Sequence, residues 1–351
     1  MKLLIIRFSS FGDIVQAIAV PRAFLNAYPD STVDWLTRAE FADLLLAQPS
    51  ISKVLPFSRA LGFRGLIRLA MSLSGARYTH VYDAHSNLRS GVLVTILRFM
   101  NVFGFLRSMP WIRFATRPKN RLRRFLFFKF RLEVLPRPFR AADSYHRPLV
   151  KWGLPADVPT GSQFYVSLAP LNSDIARLRE TSSDVIAIAP SAAWEMKRWP
   201  IEHWKTLIEI LPSAGFLILG GSEDTFLADL VSAAPLRVVN FAGRLSMVES
   251  SQVIAAADLV ISNDTGPLQV ADQLERPTIA LIGPTAFGYP SHATSMYLER
   301  PLWCQPCSKD GRGACVNSLY KRCLVELTPE SVAEKAREIL NQKRSSRVGL
   351  A

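Results

Sequence analysis

Residues 257–285 read ADLVISNDTGPLQVADQLERPTIALIGPT, and the punctuation of this stretch decides the fold. An apolar run (Leu259, Val260, Ile261) enters Ser262-Asn263-Asp264-Thr265-Gly266-Pro267. A helical pattern follows, and a second apolar run, Thr278 to Ile282, closes on Gly283-Pro284-Thr285. Strand, polar turn, helix, strand is the unit of a parallel α/β sheet. The turn falls at the carboxyl end of its strand, where such sheets bind ligands. Thr265, Gly266 and Pro267 open the helix, so its unpaired N–H groups and positive dipole end face outward. Two readings of the turn are open: a cradle for a phosphate, or a helix capped by Asp264 or Thr265.

Outward from this stretch, the chain reads as two similar halves. The first starts with strand Leu3–Ile6, the turn Ser9-Ser10-Phe11-Gly12-Asp13 and a helix from Ile14 to Tyr28 with a kink expected at Pro21. Strands Val33–Leu36, Lys53–Pro56 and His80–Asp83 follow, with helices Phe41–Ala47 and Leu61–Leu73 between them. The last of these strands ends at Ala84-His85-Ser86-Asn87, and Leu88-Arg89-Ser90 opens the next helix. The second half restarts with strand Val185–Ala189, turn Pro190–Pro200 and helix Ile201–Leu211. Strand Phe216–Gly220, Gly221-Ser222-Glu223-Asp224, a helix from Thr225, strand Val238–Phe241 and helix Val248–Ala256 lead into the opening stretch. The expected domains are 1–170 and 184–328, with a linker at 171–183 and a terminal helix and tail at 329–351. Two such domains in tandem imply a cleft between facing strand ends.

A chain of 351 residues, 49% hydrophobic, can bury a core in each of two domains. No apolar run is long enough to cross a bilayer, and MKLLIIRFSSFGD is too short and too polar after Arg7 for a signal peptide, so a cytoplasmic protein is expected. The net charge of +13 is uneven: residues 1–175 hold 24 Lys/Arg against 10 Asp/Glu, the remainder 18 against 19. A basic half joined to a neutral half implies an anionic partner for one domain. Between Arg98 and Arg140, twelve Lys/Arg face a single acid, Glu133, with nine Phe interleaved. That mixture suits nucleic acid or an anionic membrane surface. A plainer reading makes the Phe core residues and the Arg solvated; for the whole stretch an anionic surface is the expectation.

Four motifs in order carry a family resemblance: Ser9-Ser10-Phe11-Gly12-Asp13, Ala189-Pro190-Ser191 with Lys197-Arg198-Trp199-Pro200, Gly220-Gly221-Ser222-Glu223, and Asn263-Asp264-Thr265-Gly266-Pro267. Together they resemble glycosyltransferase family 9, the ADP-heptose:lipopolysaccharide heptosyltransferases. The resemblance spans nearly the whole chain. It implies a GT-B fold of two Rossmann-like parallel-sheet domains facing a cleft, with acceptor in the first and nucleotide-sugar in the second.

Glycosyl transfer needs a base for the acceptor hydroxyl and stabilisation of the departing diphosphate. The resemblance assigns the base to Asp13, which by its position alone reads equally as a helix cap. It places Lys197, Ser191, Thr265, Gly266 and Pro267 at the diphosphate, Asp264 on sugar hydroxyls, Glu223 on the ribose and Leu245 against the adenine. Ser9, Ser10, Gly12, Arg59, Arg64, Arg68, His85, Asn87 and Arg89 are the acceptor-side candidates. No Asp-x-Asp pair occurs in the sequence, so helix dipole and Lys197 would stand in for a metal at the diphosphate, and no catalytic cofactor is expected. Three departures stand out: Gln269 where family members commonly have His, Ala192-Ala193-Trp194 where Thr or Ser usually precede the lysine, and Ala84-His85-Ser86 in place of a Gln-Gly.

All four cysteines lie in Cys304-x2-Cys307-x7-Cys315-x7-Cys323. In a cytosolic chain such clustering suggests a structural four-thiolate site, for zinc or for iron, or alternatively buried thiols. The leading expectation is an inverting transferase moving heptose from ADP-heptose onto the lipopolysaccharide inner core at the inner-membrane surface, with no nucleic-acid partner. A different sugar or acceptor on the same fold is the alternative, and a basic membrane- or nucleic-acid-binding module without transferase activity is the third reading.

Overall fold

The unbroken apolar run after Lys2 becomes β1 (Lys2–Ile6), the central strand of a five-stranded parallel sheet, buried on both faces as such sheets require. The computed structural model describes residues 1–351 apart from 59, 61, 106–110, 156, 168–172 and 349–351. Its contacts fall into two units, Met1–Asn120 with Ala142–Tyr165, and Arg121–Ala141 with Val166–Ala351.

In the first unit β1 is followed by α1 (Phe11–Gln16), α2 (Ala19–Ala27), β2 (Thr32–Arg38), α3 (Ala42–Leu46), β3 (Lys53–Phe57), α4 (Gly62–Ser74), β4 (His80–Asp83), α5 (Leu88–Phe105) and β5 (Arg113–Thr116). The strand order is β3-β2-β1-β4-β5, all parallel. The order reverses between β1 and β4, so the turns after these two strands flank the switch point where doubly wound sheets take ligands. The single kinked helix expected over Ile14–Tyr28 is instead two. The chain breaks at Ala17–Ile18, and Pro21 falls in the first turn of α2, where its missing N–H removes no helical bond. β5 was not singled out as a strand in the sequence because its residues sit inside the Arg/Phe-rich stretch.

In the second unit α6 (Arg121–Phe130) is followed in the chain by α7 (Ala141–His146), which returns to the first unit. Next come α8 (Ser173–Thr181), β6 (Asp184–Ala189), α9 (Ile201–Ile210), β7 (Ala214–Ile218), β8 (Val238–Asn240), α10 (Met247–Ala256), β9 (Leu259–Asn263), α11 (Gly266–Gln273), β10 (Thr278–Leu281), β11 (Ser295–Leu298), α12 (Arg322–Val325) and α13 (Pro329–Val348). The strand order is β11-β10-β9-β6-β7-β8, again all parallel, with its switch point between β6 and β9. The stretch read as a linker carries α8, which buries Ile175 and Leu178. The helix expected from Thr225 is a 3₁₀ helix to Ala233.

The Arg/Phe stretch divides. Phe127 is buried, and Phe128 and Phe139 stack edge-on against Phe287 at 6.0 and 5.0 Å, so these rings are core. Phe99, Phe103, Phe125 and Phe130 remain exposed. No helix among the described residues is long and apolar enough to cross a membrane.

Candidate active site

In the first unit the turn after β1 leads into α1, and Asp13 occupies the helix's third position. Its carboxylate reaches back over the turn: Ser10 Oγ donates to Oδ2 at 2.8 Å. The helix-cap geometry is therefore real, yet it accounts for one face of the group only. Arg7, at the end of β1 and 5% exposed, places NH2 2.6 Å from Oδ2. Tyr145 Oη donates to Oδ1 at 2.9 Å, and Arg117 NH1 stands 3.9 Å from the same oxygen. Arg117 lies over the Tyr145 ring at 3.7 Å and is tethered to Ser144 Oγ, so α7 and the end of β5 brace each other behind Asp13. Burial raises the Asp13 pKa, but Arg7, Ser10, Arg117 and Tyr145 together outweigh it and hold the group at about 2. The carboxylate is ionised throughout the physiological range, and its side chain is 36% exposed, which leaves lone pairs open to a ligand.

The neighbouring turn, after β4, is built by Asp83. Its Oδ1 accepts from the backbone N–H of His85 (3.0 Å) and Ser86 (2.7 Å), and Oδ2 accepts from Ser90 Oγ (3.0 Å). His85 lies half-buried beside Phe8. Burial first, then Arg7 and Lys119, hold its imidazole down at about 4, so it meets a ligand as a neutral ring. Asn87 caps α5, its Oδ1 accepting from Ser90 N at 2.9 Å. Arg64, Arg68 and Arg89 are exposed on α4 and α5; Ser9 and Gly12 are half-buried and Ser10 exposed in the Asp13 turn. Arg59 lies outside the described residues. Arg7, Arg117 and Tyr145 were not singled out from the sequence, since nothing in their spacing ties them to Asp13.

In the second unit the turn after β9 leads into α11, with Thr265 at the N-cap position and Pro267 in the first turn. Thr265 Oγ1 bonds back to Asn263 O (3.3 Å) and lies 3.2 Å from Ser262 Oγ, and no side chain caps the helix. Asp264 is not the cap either: its Oδ2 pairs with Lys197 Nζ at 2.9 Å and accepts from Thr285 Oγ1 at 2.6 Å. The first-turn N–H groups of α11 thus carry no side-chain cap, the arrangement an anion can use.

Lys197 is held there by its neighbours. Trp199 is 1% exposed, donates its indole N–H to Leu327 O at 2.8 Å, and donates its backbone N–H to Asn263 Oδ1 at 3.1 Å. Asn263 Nδ2 donates in turn to Pro190 O at 2.6 Å, so the turn after β6 is pinned to the end of β9. Ser191 Oγ bonds to Asp224, which also accepts from Gly221 N at 2.7 Å. Glu223 is exposed in the turn after β7, and Leu245 is half-buried in the turn after β8. These candidates share the carboxyl edge of one sheet. Gln269 is the exception: it is 3% exposed, and its Nε2 donates to Gly288 O at 3.2 Å.

The metal expected at the four cysteines finds no support among the described residues. Cys304 and Cys323 are buried and Cys307 and Cys315 half-buried, all as free thiols. Burial and the neighbouring thiols raise Cys307, and push Cys323 up to about 12. Among the described residues no group of three or more His, Cys, Asp or Glu side chains is arranged to hold a metal ion. The loop that carries the cysteines braces the Lys197 turn: Lys321 Nζ donates to Glu195 Oε1 at 2.7 Å, and Gly311 packs against the Lys197 stem.

Residues 66–314 match the family model for glycosyltransferase family 9 (heptosyltransferase). The chain belongs to this family. It is a glycosyltransferase with the paired parallel sheets of the GT-B class. Among its relatives, the lipooligosaccharide heptosyltransferase 2 of Haemophilus influenzae is 25% identical over 97% of this chain and 99% of its own length. The solved structure of the Escherichia coli ADP-heptose lps heptosyltransferase II superposes with a TM-score of 0.69 at 20% identity, covering 98% of this chain and all of that one. A family 9 glycosyltransferase from Veillonella parvula gives 0.72 at 17% identity, covering 97% of each chain.

Proposed function

We propose that this glycosyltransferase moves a heptose from ADP-heptose onto the inner core of lipopolysaccharide by direct, inverting displacement. The observation that carries the donor half is the uncapped start of α11 beside Lys197 and Asp264, a cradle that suits a diphosphate and a sugar hydroxyl together. Ser191, Thr265, Gly266 and Pro267 would line the diphosphate, Glu223 the ribose and Leu245 the adenine. Asp13 serves as the base. As the acceptor oxygen attacks the anomeric carbon, its proton passes to the Asp13 carboxylate. The bond from that carbon to the β-phosphate oxygen breaks, and the electron pair leaves on ADP, where Lys197 and the α11 N–H groups stabilise it. A carboxylate whose pKa is about 2 accepts the proton only once bond formation has acidified the hydroxyl, so proton transfer trails carbon–oxygen bond formation.

The acceptor is anionic, and it meets the first unit at the cytoplasmic leaflet of the inner membrane. Arg64, Arg68, Arg89 and Arg98 are exposed together with Phe99 and Phe103, while the sole acid between Asp43 and Glu133, Asp83, is buried. The neutral His85 would contact the acceptor from the turn beside Asp13. Incubation of the enzyme with ADP-heptose and heptose-deficient lipopolysaccharide, followed by mass spectrometry, tests this function; an acceptor whose mass does not rise by one heptose refutes it.

A further inference from the structure

Gln269 stands in the first half of α11 yet is 3% exposed, and its side chain is committed to one carbonyl, that of Gly288 in the loop between β10 and β11. Gly288 lies directly against Asp264. A Cβ at position 288 would sit 2.0 Å from Asp264 Cγ and Oδ1 and 2.4 Å from Oδ2, so the carboxylate occupies the place of a side chain. Thr285, 1% exposed in the same loop, holds Oδ2 from the other side at 2.6 Å. With Lys197 also on Oδ2, the other oxygen, Oδ1, has no hydrogen-bond partner among the described residues.

We propose that Gln269 and Gly288 are positioning residues that seat the Asp264 carboxylate and so determine how it receives the hydroxyls of the donor sugar. The inference rests on the reading of Asp264 as the sugar-orienting group. A carboxylate torsion is soft and roughly two-fold, whereas recognition of a hydroxyl needs the acceptor oxygen held to within about 0.5 Å. Thr285 and Lys197 fix one oxygen, and the backbone of Gly288 walls the other against rotation. When a diphosphate draws on the charge of Lys197, Thr285 and the Gly288 wall still hold the carboxylate. Gln269 holds that wall from inside the helix, a task for a neutral amide donor that is buried.

The test is a double-mutant cycle in the full-length enzyme, read as kcat/KM for ADP-heptose and as Ki for ADP. Gln269→Leu and Gly288→Ala are each expected to lower kcat/KM about tenfold, with the Ki for ADP changed less than about twofold, because ADP lacks the sugar. In an Asp264→Ala background either change is expected to add less than about twofold, the signature of action through that carboxylate. Equal losses in both backgrounds, or a Ki for ADP that worsens as much as kcat/KM, overturn the inference. Gln269→Leu removes one hydrogen bond without a clash and decides the matter if Gly288→Ala does not fold. Asp264→Ala with undiminished kcat/KM refutes the assigned role of Asp264 itself. Inactivity of the unaltered enzyme with ADP-heptose overturns the donor reading, and this inference with it.

Discussion

Replacing Asp13 by Asn keeps the shape of the side chain and removes its charge, and the structure predicts two separable consequences. The first is kinetic: loss of the base should lower kcat by about 10²- to 10⁴-fold while ADP binding, proposed to use groups of the second unit, stays near that of the unaltered enzyme. The second is a pH-dependent loss of stability. The carboxyl is held at about 2 against 3.8 for the free side chain. Between those values the unfolded state binds more protons than the native one, so the stabilisation is complete above pH 3.8 and is lost as pH falls through about 2. Unscreened, that shift corresponds to roughly 2 kcal/mol. The side chain is 36% exposed, and solvent screening reduces the figure to about 1 kcal/mol, or about 2–4 °C in Tm for a unit of this size. As pH falls through about 2 the native carboxyl too becomes neutral beside the buried Arg7, so the Tm gap between the two proteins should close there. Melting curves from pH 7 downward and transfer assays at pH 7 measure both. Transfer within tenfold of wild type refutes the base assignment, and a Tm gap that persists at the acid end refutes the electrostatic account of Arg7 and Tyr145.

Three further outcomes follow from other parts of the molecule. Lys197→Ala should lower kcat/KM for the sugar nucleotide by about 10²-fold, and Lys197→Arg should not restore it, because a rigid guanidinium fork does not reproduce the compact point charge that Lys197 Nζ sets 2.9 Å from Asp264; steady-state kinetics of both variants decide this. His80, enclosed by Phe24 and Trp152, is held at about 4 by burial, then by Arg113 and the N-terminus. Its native pKa is below the unfolded value, so stability is lost as pH falls from 6.5 toward 4, and the fall in Tm over that window should be shallower in His80→Phe. Cys323 in the native protein should resist alkylation at pH 8 relative to the urea-unfolded chain, because burial and the neighbouring thiols push it up to about 12; equal alkylation rates in the two states would refute that account.

Much of the strand framework was legible because parallel strands buried on both faces must read as continuous apolar runs. Leu3–Ile6, Val185–Ala189 and Leu259–Ile261 have few other interpretations. β5 and β11 were not legible: Arg113-Phe-Ala-Thr and Ser295-Met-Tyr-Leu are edge strands of their sheets, partly solvated and without that continuity. The turns after β1, β6 and β9 could be found from their polar residues. Their supports could not, because Tyr145 lies 132 residues from Asp13 and reaches it only through the packing of α7. Gln269 was visible as a departure from the family pattern, but its burial and its bond to Gly288 depend on a loop 19 residues further on.

The two units use one device for opposite ends. Each places a carboxylate at its strand switch point and holds it with cations and hydroxyl donors: Arg7, Arg117, Ser10 and Tyr145 on Asp13, Lys197 and Thr285 on Asp264. What differs is the remaining side. Asp13 is 36% exposed, so a hydroxyl can approach and surrender its proton there. Asp264 is 13% exposed and backed by a glycine whose missing side chain it fills, so it can accept a hydrogen bond but has little freedom to move with a proton. Its cation also differs in kind. Arg7 is committed to Ala84 O at 2.8 Å and cannot leave Asp13, whereas Lys197 is a point charge on a flexible stem that an arriving diphosphate can share. Exchanging the cations should therefore fail in both directions: Arg at 197 would not share its charge, and Lys at 7 would lose the second contact that keeps Asp13 ionised.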